Sequence, residues 1–228
     1  MRQGTAAHWI AIAGALVGLA GLLLQYILLY RDMTAQGASV FEVTWRYFVY
    51  FTLITNTFVT AVLARAALRP GRDDGLNAPR VELMAVTSIL FVCVVYNLLL
   101  ASRWDPQGWQ KAADVIVHQI VPAAFALYWL ARPHGRLMWR DAMFAAIWPA
   151  AYAIYGLTRG AVDGFYPYFF MDPSAAPAAQ VALNLAALVA SFIAGALVLV
   201  AADRVLGHRA AGRREGAKSA ESGASTQR

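Results

Sequence analysis

The stretch ELMAVTSILFVCVVYNLLLAS, at residues 82–102, decides the fold of this chain. A helix crosses a bilayer in about 20 predominantly apolar residues, and this stretch reaches that length with a single charged residue, Glu82, at its start. Its polar pair, Tyr96 and Asn97, lies toward the other end. The stretch therefore predicts a membrane-spanning helix.

Five other segments of the chain have the same character. The composition is 60% hydrophobic and 14% charged, which agrees with a chain that lies mostly in lipid. Lipid requires the backbone to satisfy its own hydrogen bonds, so each segment is predicted to be a helix. The fold class is therefore an all-α, polytopic membrane protein, with one domain over residues 1–203 that forms a six-helix bundle. The predicted spans are residues 9–30, 46–68, 82–102, 112–131, 141–158 and 178–202, of which the fifth is the shortest.

Arginine and lysine residues are distributed unevenly around these spans. The N-terminus, the second and fourth loops and the tail hold 14 of them, and the other side holds 5. Cationic loops are retained in the cytoplasm, and an even number of spans puts both termini on one side. The sequence therefore predicts cytoplasmic N and C termini in the inner or plasma membrane. The tail, residues 204–228, is rich in Arg, Ala, Gly and Ser and is predicted to be a disordered basic segment.

The charge and the cysteine content argue against several classes of function. The net charge of +6 comes from arginines scattered over short loops without interleaved aromatic residues, so the expected partner is membrane lipid and not nucleic acid. Cys93 is the only cysteine, which excludes an intrachain disulfide and a thiolate metal cluster. No residues have metal-ligand spacing, and nothing in the sequence indicates a cofactor.

Polar residues lie at a common depth in the predicted spans. The second, fourth and sixth spans carry them near their starts, and the first, third and fifth carry them near their ends. Because successive spans alternate in direction, these positions fall in the outer third of the bundle. Polar groups in hydrocarbon need partners or water, so the sequence predicts a polar cavity that opens to the extracytoplasmic face. The residues are Thr52, Thr55, Asn56, Asp114, His118, Gln119 and Asn184 near the starts, and Gln25, Tyr96, Asn97, Tyr152 and Tyr155 near the ends.

His118 is the sharpest candidate for a functional residue. Asp114 precedes it by four residues, so the two side chains share one helical face and the carboxylate can orient the imidazole. Pro122 follows it by four residues and has no N–H, so we expect the carbonyl of His118 to lose its helical partner and the helix to kink.

Thr52 and Thr55 are the candidate nucleophiles at this depth. A hydroxyl is a weak nucleophile until an imidazole takes its proton and a carboxylate holds that imidazole. Threonine in a membrane helix can instead donate to a carbonyl of its own helix, so each of the two also has a structural interpretation. Candidates for stabilising an oxyanion or binding substrate are Asn56, Asn97, Tyr152, Tyr155, Asn184 and Tyr166.

Three stretches, taken in order, resemble a known family. They are YFTLITN at residues 50–56, HQIVP at residues 118–122, and the segment from Gly156 through GFYPYFF at residues 164–170. They resemble bacterial Pr6Pr-family membrane proteins, which are similar to the FAR-17a/AIG1-like family of androgen-induced membrane proteins. The resemblance covers all six predicted helices.

The resemblance implies a threonine hydrolase, because the eukaryotic relatives cleave fatty acid esters of hydroxy fatty acids with a threonine of the second helix and a histidine of the fourth. The histidine falls on His118. The threonine falls on Thr52 if the preceding aromatic pair is matched, and on Thr55 if the following polar residue is matched. The role of Asp114 rests on spacing alone.

Two questions about the site stay open in the sequence. Residues 159–177 form either a lid over the cavity or a segment of the aromatic belt at the headgroups, and both suit a fatty acyl ester as substrate. Three hypotheses remain for the whole protein. It is this hydrolase, a non-catalytic protein that binds or transports a small solute, or a purely structural subunit. The distance between a threonine hydroxyl and the His118 imidazole separates these hypotheses.

Overall fold

A computed structural model describes residues 4–103 and 105–225 of the chain, with side chains through Arg213. The described residues form helices without strands, as predicted. The α-helices are α1 (Thr5–Thr34), α2 (Val40–Tyr47), α3 (Phe51–Leu68), α4 (Pro79–Val95), α5 (Gly108–Val115), α6 (Val121–Leu130), α7 (Asp141–Ala145), α8 (Ile147–Asp163) and α9 (Ala178–Ser225). Short 3₁₀ turns cover Gly75–Asn77, Ala101–Arg103 and Phe169–Met171, and π-turns cover Tyr96–Leu100 and Ile116–Ile120.

Five helical segments of the described chain are long and apolar enough to cross a membrane. They are Thr5–Thr34, Phe51–Leu68, Pro79–Arg103, Gly108–Leu130 and Ala178–Arg213. Each π-turn continues an α-helix, so α4 and the pair α5–α6 each form one long segment. The prediction of a helical membrane protein is confirmed at this level.

The predicted fifth span, residues 141–158, is not a continuous helix. The structure divides it into α7 and α8, with a break at Ala146. Pro149 has no N–H, so the carbonyl of Ala145 has no helical donor, which accounts for a break at this place. The two pieces pack against α4 and α9 and complete the bundle.

The backbone of α9 continues far beyond the predicted end of the sixth span at residue 202. The structure has helix through Ser225, where the sequence predicted a disordered tail from residue 204. The tail is rich in Ala and Arg, which are strong helix formers, and such residues extend a helix that packing has already nucleated.

Glycines on α1 let this helix approach the centre of the bundle closely. A Cβ atom on Gly18 would lie 2.3 Å from Oγ1 of Thr60, and one on Gly21 would lie 2.3 Å from a methyl carbon of Ile116. No side chain fits at either position, so α1 packs directly on α3 and on the π-turn between α5 and α6.

A buried ionic network holds the bundle together at the end that contains the C-terminus of α3 and the N-terminus of α4. We call this the Arg132 end. Glu82 is 4% exposed and accepts from Nε of Arg132 at 3.1 Å and from the hydroxyl of Tyr128 at 2.7 Å. Arg132 also donates to Asp73 at 2.6 Å, and Asn77 donates to the carbonyl of Val62 at 3.1 Å. Each charge has a partner of opposite sign, and the network connects α3, α4 and α6.

Replacing Glu82 is expected to be among the most destabilising single changes in the chain. Glu82→Gln removes the charge that pairs with a buried Arg132, and breaking a buried ion pair costs about 3–5 kcal/mol. Thermal unfolding of detergent-purified protein, followed by size-exclusion chromatography, measures the loss. Asp74→Asn is the matched control, because Asp74 is half exposed and pairs with Arg65 and Arg72 at the surface, where an ion pair contributes about 0–1 kcal/mol. Equal losses in the two variants would contradict the importance assigned to the buried network.

Candidate functional site

The π-turn between α5 and α6 sets the geometry around His118. The N–H of Val121 donates to the carbonyl of Ile116, five residues earlier, which is the π register. In this register the next donor would be Pro122, which has none, so the carbonyl of Val117 loses its helical partner. The amide nitrogen of Asn56 fills that place at 3.1 Å. The sequence predicted that the His118 carbonyl would lose its helical partner, and the π-turn adds the carbonyl of Val117 to the groups that Pro122 leaves without a donor.

Asn56 also joins α3 to this turn. Its amide nitrogen donates to the carbonyl of Thr52 at 2.8 Å as well as to Val117. The side chain is completely buried, and its Oδ1 atom has no hydrogen-bond partner among the described residues. One amide thus holds the backbones of Thr52 and of the residue before His118 side by side.

His118 is oriented by Asp114, the residue that its spacing indicates. Nδ1 of the imidazole lies 3.1 Å from a carboxylate oxygen of Asp114 and 3.0 Å from the carbonyl of the same residue. Both atoms are acceptors, so a neutral imidazole carries its proton on Nδ1 and leaves Nε2 as the basic nitrogen. Nε2 has no hydrogen-bond partner in the described part of the chain. This is the arrangement of a histidine that a carboxylate holds ready to accept a proton.

Tyr96 completes this group from α4. Its hydroxyl donates to the second carboxylate oxygen of Asp114 at 2.7 Å. Its ring stacks on the imidazole of His118, with centroids 3.6 Å apart and planes 11° from parallel. Both carboxylate oxygens of Asp114 are thereby occupied, which fixes the carboxylate, the imidazole and the phenol relative to one another.

A cavity adjoins this group on the other side of Tyr96. Its volume is about 70 Å³. Sixteen described residues line it, and only four carry hydroxyls: Thr52, Tyr96, Tyr152 and Tyr168. The sequence predicted a polar cavity at this depth, whereas this one is mostly apolar, because most polar side chains of the layer bond neighbouring helices to each other. The remaining lining residues are Phe51, Phe91, Val92, Val95, Leu100, Pro149, Ala153, Phe170, Met171, Leu185, Leu188 and Val189.

The two candidate nucleophiles occupy different environments. Thr52 lies at the first turn of α3 and lines the cavity. Thr55 is completely buried, and its hydroxyl accepts from the indole nitrogen of Trp148 at 3.1 Å. Thr55 therefore bonds α3 to α8, and Thr52 is the threonine that a molecule in the cavity can touch.

Thr52 and His118 are neighbours without being bonded. No hydrogen bond joins the imidazole to either threonine among residues 4–103 and 105–225. Tyr96, whose ring stacks on the imidazole, lines the cavity, and His118 does not.

The segment after α8 covers the cavity. Gly164, with φ +73°, ends α8, and the chain then turns so that Tyr168, Phe170 and Met171 face the cavity. Burial raises the pKa of Tyr168 to about 12, although the adjacent Thr52 side chain and backbone lower it. The phenol of Tyr168 therefore stays protonated at neutral pH and can donate a hydrogen bond beside Thr52.

Arg159 and Asp163 of α8 bind Trp45 of α2 at this end of the bundle. Trp45 of α2 donates to Asp163 at 2.7 Å, and the guanidinium of Arg159 lies 3.6 Å from the centre of the Trp45 ring. The pKa of Asp163 is lowered, because hydrogen bonds from Phe165 and Trp45 and the charge of Arg159 outweigh the effect of burial. These contacts join α2 to α8 and position the covering segment.

The other candidate binding residues are mostly structural. Of these, Tyr152 lines the cavity, and its hydroxyl donates to the carbonyl of Val49 at 2.8 Å. Asn97 donates to the carbonyl of Cys93, and Asn184 donates to the carbonyl of Phe170. Tyr155 donates to the carbonyl of Phe48, and the ring of Tyr166 packs on Gly160. Neither of these tyrosines lines the cavity.

Sequence reasoning missed two parts of this site. It placed Tyr96 in the polar layer but did not predict its contact with Asp114, because the two residues are 18 positions apart in the sequence. It also missed the apolar wall formed by α4 and α9, because valines and leucines that line a cavity look the same in sequence as those that face lipid.

The described residues contain no group of three or more His, Cys, Asp or Glu side chains that could hold a metal ion. Their chemistry is that of hydroxyls, one oriented imidazole and an apolar cavity.

No protein-family model, curated protein or solved structure matches this chain.

Proposed function

We propose that this protein is an intramembrane hydrolase of a lipid-like fatty acyl ester, with Thr52 as the nucleophile and His118 as the general base. One observation carries the proposal: an imidazole held by Asp114, with Nε2 free, lies beside an apolar cavity that has the Thr52 hydroxyl in its wall. Hydroxyl, imidazole and carboxylate are the three groups that nucleophilic ester cleavage needs.

The cavity favours an acyl chain as the bound group. Its lining is aliphatic or aromatic apart from four hydroxyls, which suits an apolar chain with one polar group. Thr52 and Tyr168 supply hydroxyls at one place on this wall. An ester carbonyl that reaches this place has a nucleophile on one side and a hydrogen-bond donor on the other.

The proposed reaction has two steps. The Thr52 oxygen attacks the acyl carbon while Nε2 of His118 takes its proton, and Tyr168 donates to the developing oxyanion. The bond from the acyl carbon to the leaving oxygen breaks, and His118 returns the proton to the departing alcohol. Water then attacks the acyl-threonine by the same route, which releases the fatty acid and restores Thr52.

Tyr96 controls whether these groups can meet. Its ring covers His118 in the structure, so the proposal includes a rotation of Tyr96 that opens the imidazole to the cavity. Substrate in the cavity would favour that rotation, because the ring forms part of the wall that the substrate touches.

The proposal includes a membrane topology and a family. The α7–α8 segment is taken as a sixth crossing, with both termini in the cytoplasm, because 14 of the 19 Lys and Arg residues lie on that side of such an arrangement. The Thr52 end would then be extracytoplasmic, in the inner or plasma membrane. Relationship to the Pr6Pr and FAR-17a/AIG1-like proteins belongs to this proposal, and it rests on the three quoted sequence stretches.

A non-catalytic lipid-binding protein is the second candidate function. It is favoured by the position of His118, which stacks on Tyr96, does not line the cavity and has no hydrogen bond to Thr52. In that case the cavity holds an acyl chain, and the Asp114–His118–Tyr96 group serves only to bond α4 to α5.

Ester turnover and fluorophosphonate labelling of purified protein test the proposal. Thr52→Val keeps the shape of the side chain and removes the hydroxyl, so we expect turnover to fall by about 10³-fold or more, with loss of labelling. His118→Ala should do the same, because the hydroxyl then has no base. Thr52→Ser should retain labelling.

Two other threonines of α3 provide the controls for this test. Thr57→Val should behave as wild type, because Thr57 is exposed and bonds only to the carbonyl of Leu53. Thr55→Val should lower the melting temperature through loss of the Trp148 bond and still label. A folded wild type that turns over no member of a broad ester panel, yet binds fatty acyl chains, would favour the lipid-binding function.

Tyr96→Phe separates the hydroxyl of Tyr96 from its ring. The variant keeps the cavity wall and the stacking on His118 but loses the hydrogen bond to Asp114. We expect kcat to fall by about 10-fold with KM unchanged, because the loss of a group that orients a catalytic residue typically costs that much. Steady-state kinetics give both values. Tyr26→Phe, which loses a bond to Thr44 away from the cavity, is the control, and an equal effect in both variants would contradict the role of Tyr96.

A further inference from the structure

A second cavity lies at the Arg132 end, where α9 crosses the loop after α6. Five residues line it: His134, Gly135, Arg204, Gly207 and His208. Its volume is about 330 Å³, which leaves room for several water molecules or a small polar head group. Nothing in the proposed hydrolysis uses this place, since Thr52 and His118 lie at the opposite end of the bundle.

The cavity has a fixed wall. A Cβ atom on Gly207 would lie 2.4 Å from the Cα of Gly135, so the two backbones touch and only glycine fits there. Nδ1 of His134 is 3.0 Å from Asp203, and Nε2 is 3.2 Å from the carbonyl of Leu130, so both ring nitrogens are occupied. These contacts hold the loop on α9 without any ligand.

The cavity holds one arginine, Arg204, that lacks a counter-ion among the described residues. Its lining contains Arg204 and two histidines but no acidic residue. Asp203 is 3% exposed and is occupied by His134 and by the backbone N–H groups of Arg136 and Leu137. Within the described residues, Arg204 has no carboxylate partner, and its guanidinium lies 5.6 Å from the centre of the Trp139 ring. An anionic ligand would supply the missing charge.

The surroundings of the cavity point to an amphiphilic anion. Arg204 follows the apolar run at residues 197–202 of α9, which places it where a membrane-spanning helix passes from hydrocarbon to headgroups. Large apolar side chains beside it are exposed, including Trp139 at 52% and Val205 at 50%. A free inorganic anion would leave this apolar surface exposed, whereas the acyl chains of a phospholipid would cover it.

We propose that this cavity binds the phosphate of an anionic phospholipid, with Arg204 as the main charge partner and His208 as a second donor. The phosphate occupies the cavity between α9 and Gly135, and the acyl chains lie along Trp139 and Val205. Such a lipid would brace α9 against the loop after α6, in addition to the His134–Asp203 contact.

Native mass spectrometry of the full-length protein in detergent tests the site. Wild type should retain one phosphatidylglycerol more tightly than phosphatidylcholine, and Arg204→Ala should weaken phosphatidylglycerol binding by about 5-fold, as expected for about 1 kcal/mol per basic residue near a lipid headgroup. Arg204→Lys should restore much of that loss. Arg209→Ala is the matched control, because Arg209 is an exposed arginine of the same helix outside the cavity.

Two results would overturn the proposal. One is equal retention of the two lipids by wild type, or equal loss in Arg204→Ala and Arg209→Ala. The other is displacement of phosphatidylglycerol by glycerol phosphate at the same concentration, which would show a site for free phosphate and not for lipid. Melting temperatures of the variants establish that each is folded.

Discussion

Polar side chains inside apolar helices destabilise a membrane protein unless each finds a partner, and this requirement governs the structure. An unpaired polar group in a buried apolar setting costs about 1–3 kcal/mol. Here a single prolyl residue, Pro122, leaves the carbonyl of Val117 without a donor, and Asn56 of another helix supplies it. At the opposite end the charges of Glu82 and Arg132 meet the same requirement by pairing. Helix positions at both ends of the bundle are thus set by hydrogen bonding as well as by apolar packing.

The same requirement separates structural from reactive groups at the Thr52 end. Thr55, Asn97 and Asn184 all have bonds to other parts of the bundle, to Trp148, Gln119 and Phe170 respectively. Thr52 is left with its hydroxyl in the cavity wall, and Nε2 of His118 is left without a partner. Both groups lie on elements whose backbones Asn56 holds together, and the proposed hydrolase is based on this arrangement.

The sequence predicted the apolar spans and the contacts that follow from spacing within a helix. It did not predict where the hydrogen-bond register of a helix changes. The apolar spans and the contact of Asp114 with His118 follow from length and from the interval of four residues. The bond from Asn56 to the carbonyl of Val117 could not be predicted, because the π-turn that leaves this carbonyl without a helical donor has no signal in the sequence. The choice between Thr52 and Thr55 depended on Trp148, which is distant in sequence. The apolar cavity could not be foreseen, because its lining residues resemble any lipid-facing valine or leucine.

The most direct test of the central claim is to locate the site of covalent modification. Purified wild type would be treated with a fluorophosphonate, digested and sequenced by tandem mass spectrometry, with His118→Ala treated in parallel. The account predicts one phosphonyl group on Thr52 in wild type and none in the variant. An adduct on Thr55, or an adduct on Thr52 that persists without His118, would contradict it.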